Sequence, residues 1–245
     1  MTSSSFIMTI KTKILTLAFL LTLISTFAQA QSAQSAYVRL ITNKGNITLM
    51  LYDGTPKHRD NFLKTIREGK FNDAQFNRVI KAFVSQGGDL DDTILNREKL
   101  HPEETPKRIP AEINGAYFHK KGALGAGRDD NPQKSSYFTQ IYLVTGKTYT
   151  DEQMDDLEKK RGIRIPLQHR QIYKKTGGDP QLDGFYTVFG EIVEGMDVAD
   201  TINNVSTNAQ DVPEEAVKFK AVILSKKESA EIFKRTIKTV RPSTP

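Results

Sequence analysis

The amino-acid sequence predicts a mainly β fold, a barrel or a sandwich, and three observations favour it. Short segments alternate apolar and polar residues, or are rich in β-branched and aromatic residues, as strands are. Turn signals separate these segments. They also do not alternate with helices, as the strands of a parallel sheet do. We therefore expect roughly eight strands, two flanking helices and one helical insertion.

The first thirty residues are set apart from this fold. Two lysines precede an apolar run of 14 residues from Ile14 to Phe27, and Ala28–Ala30 is the small-x-small pattern that signal peptidase accepts. The run is shorter than the ~20 residues that span a bilayer. We expect a cleaved signal peptide at residues 1–30 and an exported chain, periplasmic or secreted, that begins near Gln31. Met8 is an alternative start.

Charge and composition exclude several classes of function and chemistry. The chain holds 35 basic and 29 acidic residues, and two of the basic residues lie in residues 1–30, which leaves a net charge of +4. This small excess is spread along the chain, so it predicts neither a nucleic-acid surface nor a polybasic membrane patch. The sequence has no cysteine, which excludes disulfides, thiolate chemistry and a lipidated cysteine.

The N-terminal elements are a hairpin and a helix. YVRLIT and NITLMLY alternate around a turn at Gly45. TPKHRDNFLKTIREGKF predicts a helix with Thr55 as N-cap, Pro56 as first residue and Gly69 beyond its end. His58 falls on the apolar face of this helix, and we interpret it as a packed core residue.

The middle of the chain alternates strands and loops. FNRVI and VSQGGD read as strands, whereas LDDTILNREKLHPEETPKRIPAEI is polar and Pro-rich and predicts a long surface loop. GALGAG, residues 122–127, is interpreted as a strand whose glycines let another backbone approach. YFTQIYLVTG should be an interior strand.

The C-terminal part begins with a helical insertion. TYTDEQMDDLEKKRG carries a capping box at Thr150 and Gln153, and Pro166 starts a second short helix. FYTVFGEIV, EGMDVADTI and AVKFKAVILS predict strand, helix and strand. The basic tail, residues 226–245, is expected to fray.

Motifs of other enzyme classes are missing. GALGAG lacks the βαβ context of a dinucleotide loop, and there is no P-loop, GxSxG elbow or HExxH sequence. The four histidines, at positions 58, 101, 119 and 169, are too widely spaced to predict a metal site. We therefore expect no cofactor and no metal.

One segment carries a family resemblance. FNRVIKAFVSQGGD, residues 76–89, resembles the signature of cyclophilin-type peptidyl-prolyl cis-trans isomerases, and TPKHRDNFL, FTQIYLV and LDGFYTVFGEIVEGMDVADTI resemble further family blocks in the same order. The likeness covers about residues 37–225. It implies a closed eight-stranded antiparallel barrel capped by two helices, with a peptide groove on its outer face and a helical insertion at 147–178.

The resemblance also implies an activity. An X-Pro bond rotates over a barrier of ~18–20 kcal/mol, and a catalyst needs only to stabilise the twisted amide, without covalent chemistry. The implied partners are proline-containing peptides and unfolded proteins. We expect no nucleic-acid partner, no stable membrane anchor and a monomer.

Site residues follow from the family motif. Arg78 and Gln86 are implied as catalytic, because an always-charged guanidinium can hydrogen-bond the prolyl nitrogen and carbonyl while an amide holds the flanking backbone. The implied substrate-binding residues are Phe83, Val84, Gly127, Arg128, Gln140, Tyr142, Leu182 and Tyr186.

Several positions depart from the family pattern. Val84 stands where a Met is common, Gln181 replaces an aromatic, Tyr186 replaces a His, and Ile141 replaces a second aromatic. These changes predict weaker binding of proline and of cyclosporin. We expect a smaller effect on the catalytic step at Arg78. The insertion could restrict or extend the peptide site. The alternative function is a cyclophilin-like peptide-binding or chaperone module with little or no turnover.

Overall fold

Eight strands close into an antiparallel barrel in the computed structural model, which describes residues 36–240, with side chains to residue 236. The strands of the chain are β1 Tyr37–Thr42, β2 Gly45–Leu51, β3 Ala74–Val79, β4 Val84–Gly88, β5 Arg108–Ile109, β6 Ala123–Ala126, β7 Ser136–Tyr137, β8 Gln140–Val144, β9 Val188–Glu194 and β10 Val217–Ile223. The barrel order is β1-β10-β3-β4-β8-β6-β9-β2, and β5 pairs with β7 in a separate small sheet. The closed eight-stranded antiparallel barrel is thereby confirmed.

Six helices accompany the strands within the described residues. They are α1 Pro56–Arg67, α2 Asp91–Leu100, α3 Asp151–Arg161, α4 Leu167–Lys175, α5 Met196–Asn203 and α6 Lys226–Val240. The predicted cap helices α1 and α5 bury apolar side chains in the barrel core, among them Phe62 and Ile202. No helix in residues 36–240 has the length and apolar character needed to cross a membrane. The predicted signal peptide lies outside the described residues.

Helix α1 is anchored by a carboxylate. Glu112 accepts hydrogen bonds from the backbone N–H groups of Lys57 and His58, at 3.0 and 2.9 Å, and so caps the positive end of the helix. The His58 ring is buried and lies 2.7 Å from Glu112 and 3.0 Å from the Ser136 hydroxyl. Burial lowers the pKa of His58 although Glu112 opposes the shift. The interpretation of His58 as a packed core residue is confirmed.

The predicted long loop after Asp89 is wrong in part, because α2 begins there. Acids in its first turn, Asp91 and Asp92, and basic residues in its last turn complement the helix dipole. Ile94 is its single buried residue, so the segment shows no apolar period. That missing period explains why the sequence pattern indicated a loop.

The frayed tail predicted for residues 226–245 is wrong for residues 226–240, which form α6, and the last five residues lie outside the described part. Ser225 and Glu228 make a capping box: each side chain accepts from the other residue's backbone N–H, at 3.3 and 3.0 Å. Ile232 is buried against Tyr37 and Leu224. Burial against the barrel therefore orders a segment whose charge suggested a free tail.

The insertion has its own small core. Helix α3 carries the predicted capping box at Thr150 and Gln153, and α4 begins after Pro166, as the sequence predicts. Met154, Ile165 and Tyr173 are buried together. The insertion is thus a packed helix pair.

Candidate functional site

The ten residues predicted to form the site all line one pocket of about 150 Å³. Its lining consists of Arg78, Phe83, Val84, Gln86, Asp91, Gly127, Arg128, Gln140, Tyr142, Leu182 and Tyr186. Asp91 is the one member that the sequence reasoning did not include. The structure therefore gathers residues that are more than 100 positions apart in the sequence.

Strand register explains why these side chains share one face. Arg78 on β3 is opposite Gln86 on β4, and Gln86 is opposite Tyr142 on β8. Residues directly opposite each other in antiparallel strands point to the same side of the sheet. Ile141 and Leu143, the neighbours of Tyr142, lie in the main barrel core. Arg78, Gln86 and Tyr142 therefore project outward from the barrel.

Arg78 is the least constrained of these residues. Its side chain is 43% exposed, and its Nε lies 3.7 Å from Oδ2 of Asp211. Asp211 adopts a left-handed backbone conformation with φ of 62°, and its carbonyl accepts a hydrogen bond from Val79 N at 2.8 Å. An exposed ion pair of this length contributes at most ~1 kcal/mol. The guanidinium can consequently leave Asp211 for a ligand.

The apolar end of the pocket is held more tightly. Val84, Tyr142 and Leu182 belong to a second hydrophobic cluster outside the barrel, with Phe83 and Tyr186 packed against it. The Tyr142 hydroxyl lies 2.8 Å from Nε2 of His119, and the Tyr186 ring meets the Tyr142 ring edge-on at 6.1 Å. This end offers a shallow apolar wall of the size that a proline ring could contact.

The opposite end of the pocket is polar. The Gln140 amide nitrogen donates to the Asp89 carbonyl at 2.9 Å and to Oδ1 of Asp91 at 2.6 Å. Both amide hydrogens are thereby used, so only Oε1 of Gln140 is left to accept a hydrogen bond from a peptide N–H. A Cβ atom at Gly127 would overlap this oxygen. Gly127 thus leaves room for the Gln140 amide.

Two glycines, Gly125 in β6 and Gly127 just after it, leave room for side chains of the pocket. At Gly125 a Cβ would collide with the Tyr142 ring, and at Gly127 with the Gln140 amide. The sequence reasoning predicted close approach of another backbone at these positions, which is wrong. The glycine pattern of residues 122–127 correctly indicates a close neighbour, but composition alone cannot distinguish a backbone neighbour from a side-chain neighbour.

Arg128 supports the pocket rim. Its Nε donates to the Phe185 carbonyl at 2.8 Å, and its Nη1 donates to the carbonyls of Asp129 and Asn131 at 2.7 and 3.2 Å. Its guanidinium also stacks 4.7 Å from the centre of the Tyr186 ring. Much of its hydrogen-bonding capacity is used within the protein, so its contribution to the subsite is mainly shape.

Gln181 is oriented away from the pocket lining. Its side-chain amide nitrogen donates to Oδ2 of Asp179 at 3.0 Å, and its backbone carbonyl accepts from Arg161 at 3.0 Å. Burial raises the pKa of the Asp179 carboxyl, partly offset by the Gln181 hydrogen bonds. Gln181 thus stabilises the turn that presents Leu182.

Asp91 shows what sequence reasoning missed. It lies in the segment for which the sequence predicts a surface loop, whereas it starts α2 and holds the Gln140 amide. The available signal was the pair of acids followed, after four residues, by an Arg-Glu-Lys run, a charge order typical of a helix.

Comparisons with known proteins agree with this architecture. A family model described as cyclophilin type peptidyl-prolyl cis-trans isomerase matches residues 37–223. A Staphylococcus saprophyticus protein named as a peptidyl-prolyl cis-trans isomerase is 32% identical over 173 residues, which are 70% of this chain and 83% of that protein. A Rhizopus delemar protein, peptidyl-prolyl cis-trans isomerase-like 2, is 27% identical over 80% of this chain and 30% of its own length.

Solved structures show the same fold. A cyclophilin-type isomerase of Cryptosporidium parvum, crystallised in the presence of the dipeptide Ala-Pro, superposes with a TM-score of 0.53 at 22% identity. The match covers 78% of this chain and 99% of that chain.

Proposed function

We propose that this chain, which belongs to the cyclophilin-type peptidyl-prolyl cis-trans isomerase family, uses Arg78 to accelerate rotation about X-Pro bonds in exported proteins. Isomerase activity is the activity of the family. The residue roles, the exported clients and the location are our proposal. The observation that carries the residue roles is the register of Arg78, Gln86 and Tyr142 on one outward face beside an apolar wall.

The chemistry follows from the amide bond. Rotation breaks amide resonance, and the prolyl nitrogen gains a lone pair in the twisted state. A guanidinium near that nitrogen can donate to the lone pair and to the prolyl carbonyl, and this interaction is stronger in the transition state than in the ground state. Five to six decades of acceleration correspond to ~7–8 kcal/mol of transition-state stabilisation. Arg78 is the only cation besides Arg128 in the described pocket lining, and it is the less committed of the two.

The remaining pocket residues would hold the peptide. The proline ring would lie against Phe83, Tyr142 and Leu182, and the Gln140 oxygen would accept a peptide N–H. Successive strand residues on one face are separated by ~6–7 Å. From Val84 to Gly88, the pocket face of β4 therefore spans ~13 Å, enough for about four extended peptide residues. The Ala-Pro dipeptide present with the Cryptosporidium parvum relative supports an X-Pro ligand.

A binding module without turnover is the second candidate. The observation that favours it is the Arg78–Asp211 ion pair, because a guanidinium held by a carboxylate is less available to a twisted amide. In this alternative the pocket binds X-Pro peptides, but it does not accelerate their isomerisation.

The deciding experiment is NMR exchange spectroscopy on an X-Pro peptide. We expect the wild-type chain to accelerate exchange and Arg78→Ala to reduce the saturated exchange rate about 10²–10³-fold, as loss of a preorganised donor does in other active sites. Arg39→Ala is the matched control, because Arg39 is also a strand arginine with an ion pair of 3.6 Å, to Glu228. If wild type binds the peptide without accelerating exchange, the binding module replaces the enzyme.

Export requires a separate measurement. Expression of the full chain in a Gram-negative host should yield a processed protein in the periplasm whose N-terminus lies near Gln31. The basis is the apolar run and the Ala28–Ala30 pattern. An unprocessed N-terminus in a cytoplasmic fraction would refute export without affecting the isomerase mechanism.

A further inference from the structure

A chain of hydrogen bonds runs from the insertion to the pocket wall. The Tyr173 hydroxyl, on α4, donates to Oδ2 of Asp183 at 2.7 Å. Oδ1 of Asp183 meets both the backbone N–H and ring Nδ1 of His119, at 2.9 and 2.8 Å. His119 Nε2 then lies 2.8 Å from the Tyr142 hydroxyl. Four residues from four separate segments thus form one network.

The proton positions in this network follow from its partners. Because the Asp183 carboxylate accepts, His119 Nδ1 carries the hydrogen and Nε2 is the acceptor for the Tyr142 hydroxyl. Tyr173, His119 and Tyr142 are each at most 4% exposed. Burial also raises the pKa of Tyr142 well above its usual range, so the hydroxyl keeps its proton. The network therefore has one consistent direction of donation, from Tyr142 to His119 to Asp183.

The same network also contacts the turn that carries Leu182, another apolar residue of the pocket lining. Asp183 directly follows Leu182 in the turn that lines the pocket. From α3, Arg161 donates to the Gln181 carbonyl at 3.0 Å and stacks 4.6 Å from the centre of the Phe185 ring. Both insertion helices thus hold the segment that carries Leu182.

Backbone contacts hold the C-terminal end of the insertion against the segment that carries His119. Asp179 N donates to the His119 carbonyl at 2.8 Å, and Gly178 forms bridges with both Lys120 and Lys147. Gly178 has a φ of 143°, and a Cβ atom there would overlap the His119 carbonyl oxygen. The backbone leaving the insertion therefore passes directly over His119.

We propose that Tyr173 is a positioning residue for the proline end of the pocket, and that the insertion is a brace that fixes Tyr142 and Leu182 through Asp183 and His119. Tyr173 is absent from the pocket lining and acts through these residues. The inference rests on the proposed function and answers how the insertion affects the site: it sets the shape of the pocket from behind.

A purely structural role predicts different behaviour. If the Tyr173 hydroxyl only stabilised the helix pair, its removal would lower the unfolding temperature without changing peptide affinity. A brace instead changes the pocket wall, so the loss falls on peptide binding. The catalytic step at Arg78, which lies on β3 away from the insertion, would be retained.

Tyr173→Phe and Tyr149→Phe form a matched pair for the test. Tyr149 packs edge-on against Tyr173 in the same cluster, but its hydroxyl lies outside the network. We expect Tyr173→Phe to weaken the Kd for an X-Pro peptide about three- to tenfold, with the saturated exchange rate changed less than twofold. Tyr149→Phe should leave both values within twofold. Equal Kd values for Tyr173→Phe and wild type would overturn the brace.

A double-mutant cycle tests the path of the coupling. Tyr142→Phe removes the far end of the network, and the double variant Tyr142→Phe/Tyr173→Phe should bind the peptide no more weakly than the weaker single variant. Multiplicative losses of affinity would show that the two hydroxyls act independently, against the proposal.

A spectroscopic measurement tests the network in the folded wild type without a peptide. The ring ¹⁵N shifts of His119, assigned with His119→Gln, should report the Nδ1–H tautomer, and the opposite tautomer would contradict the network. The failures remain distinguishable: wild type that binds the peptide without turnover defeats the enzyme proposal and leaves the Kd comparison decisive. Wild type that binds no X-Pro peptide overturns both proposals.

Discussion

The two sides of the pocket are held in opposite ways. Arg78 is half exposed and has one long ion pair, whereas Tyr142 is buried, hydrogen-bonded at 2.8 Å and confined by Gly125. An interaction that forms only as the amide twists benefits from a cation that can move toward it, while an apolar wall that recognises proline benefits from a fixed shape. We therefore expect changes at Arg78 to affect turnover and changes around Tyr142 to affect peptide binding.

Replacing Arg78 with lysine gives the sharpest test of the mobile side of the pocket, which is the side formed by the half-exposed Arg78. Arg78→Lys keeps the positive charge, but it loses the planar fork that can donate to two acceptors at once. We expect the saturated exchange rate to fall about 10–100-fold with Kd within threefold, measured by NMR exchange and titration. A lysine variant as active as wild type would mean that charge alone is required, and the donor geometry assigned to Arg78 would be wrong.

Gly125→Ala tests the fixed side. The added Cβ overlaps the Tyr142 ring, which is buried and hydrogen-bonded to His119 and cannot retreat without cost. Overpacking of this kind costs ~1–3 kcal/mol of stability. We expect a lower midpoint in urea and a Kd weakened at least tenfold, while the rate at saturation changes little.

Gly115→Ala is the control for that substitution, because a Cβ at Gly115 meets nothing within 4 Å. It should leave stability and peptide affinity unchanged. If Gly125→Ala lowers the saturated rate more than it weakens Kd, the division between a binding side and a turnover side fails.

The sequence predicts the two sides unequally. The family motif implies Arg78, Gln86 and Tyr142 as site residues, but strand alternation alone does not set their register. A bulge shifts the pairing of β3 with β4 between Phe76, which lies in the barrel core, and Arg78, which faces outward. The network of His119, Tyr142, Tyr173 and Asp183 cannot be predicted in this way, because its members come from segments whose contact depends on how the insertion packs. The family motif therefore implies the cation at Arg78, whereas only the tertiary structure shows what fixes the wall.

Helix α2 illustrates a different limit. Ile94 is its one buried residue, so no apolar period indicates the helix, and the segment that contains its first residue, Asp91, is predicted as a surface loop. Dipole complementarity from its terminal charges was present in the sequence, but it contributes only ~0.3–1 kcal/mol for each charge. Such a signal is too weak to outweigh the polar, Pro-rich composition of the whole segment.

Asp91→Asn probes the polar end, which shares features of both sides. An asparagine can accept from Gln140 or donate to it, so only the Asp89 carbonyl still opposes the flipped amide, in which Gln140 would present N–H groups to the pocket. We expect Kd to weaken about two- to fourfold, together with a shifted Gln140 side-chain amide signal in ¹H–¹⁵N spectra. Asp92→Asn, at the exposed neighbouring position, should change neither. An unshifted Gln140 signal in Asp91→Asn would show that Asp91 does not orient this amide.

The smallest expected effect is at Asp211, and it decides whether the mobility of Arg78 matters. Asp211→Asn removes the 3.7 Å ion pair while keeping a side chain that, like Asp, tolerates the left-handed backbone at φ of 62°. Stability should change by less than ~0.5 kcal/mol, because exposed pairs contribute little. Since the guanidinium then has no competing carboxylate at that position, we expect a saturated exchange rate equal to that of wild type or up to threefold higher, with a weaker dependence on salt. A rate reduced more than fivefold would instead show that Asp211 positions Arg78, so that both sides of the pocket are fixed.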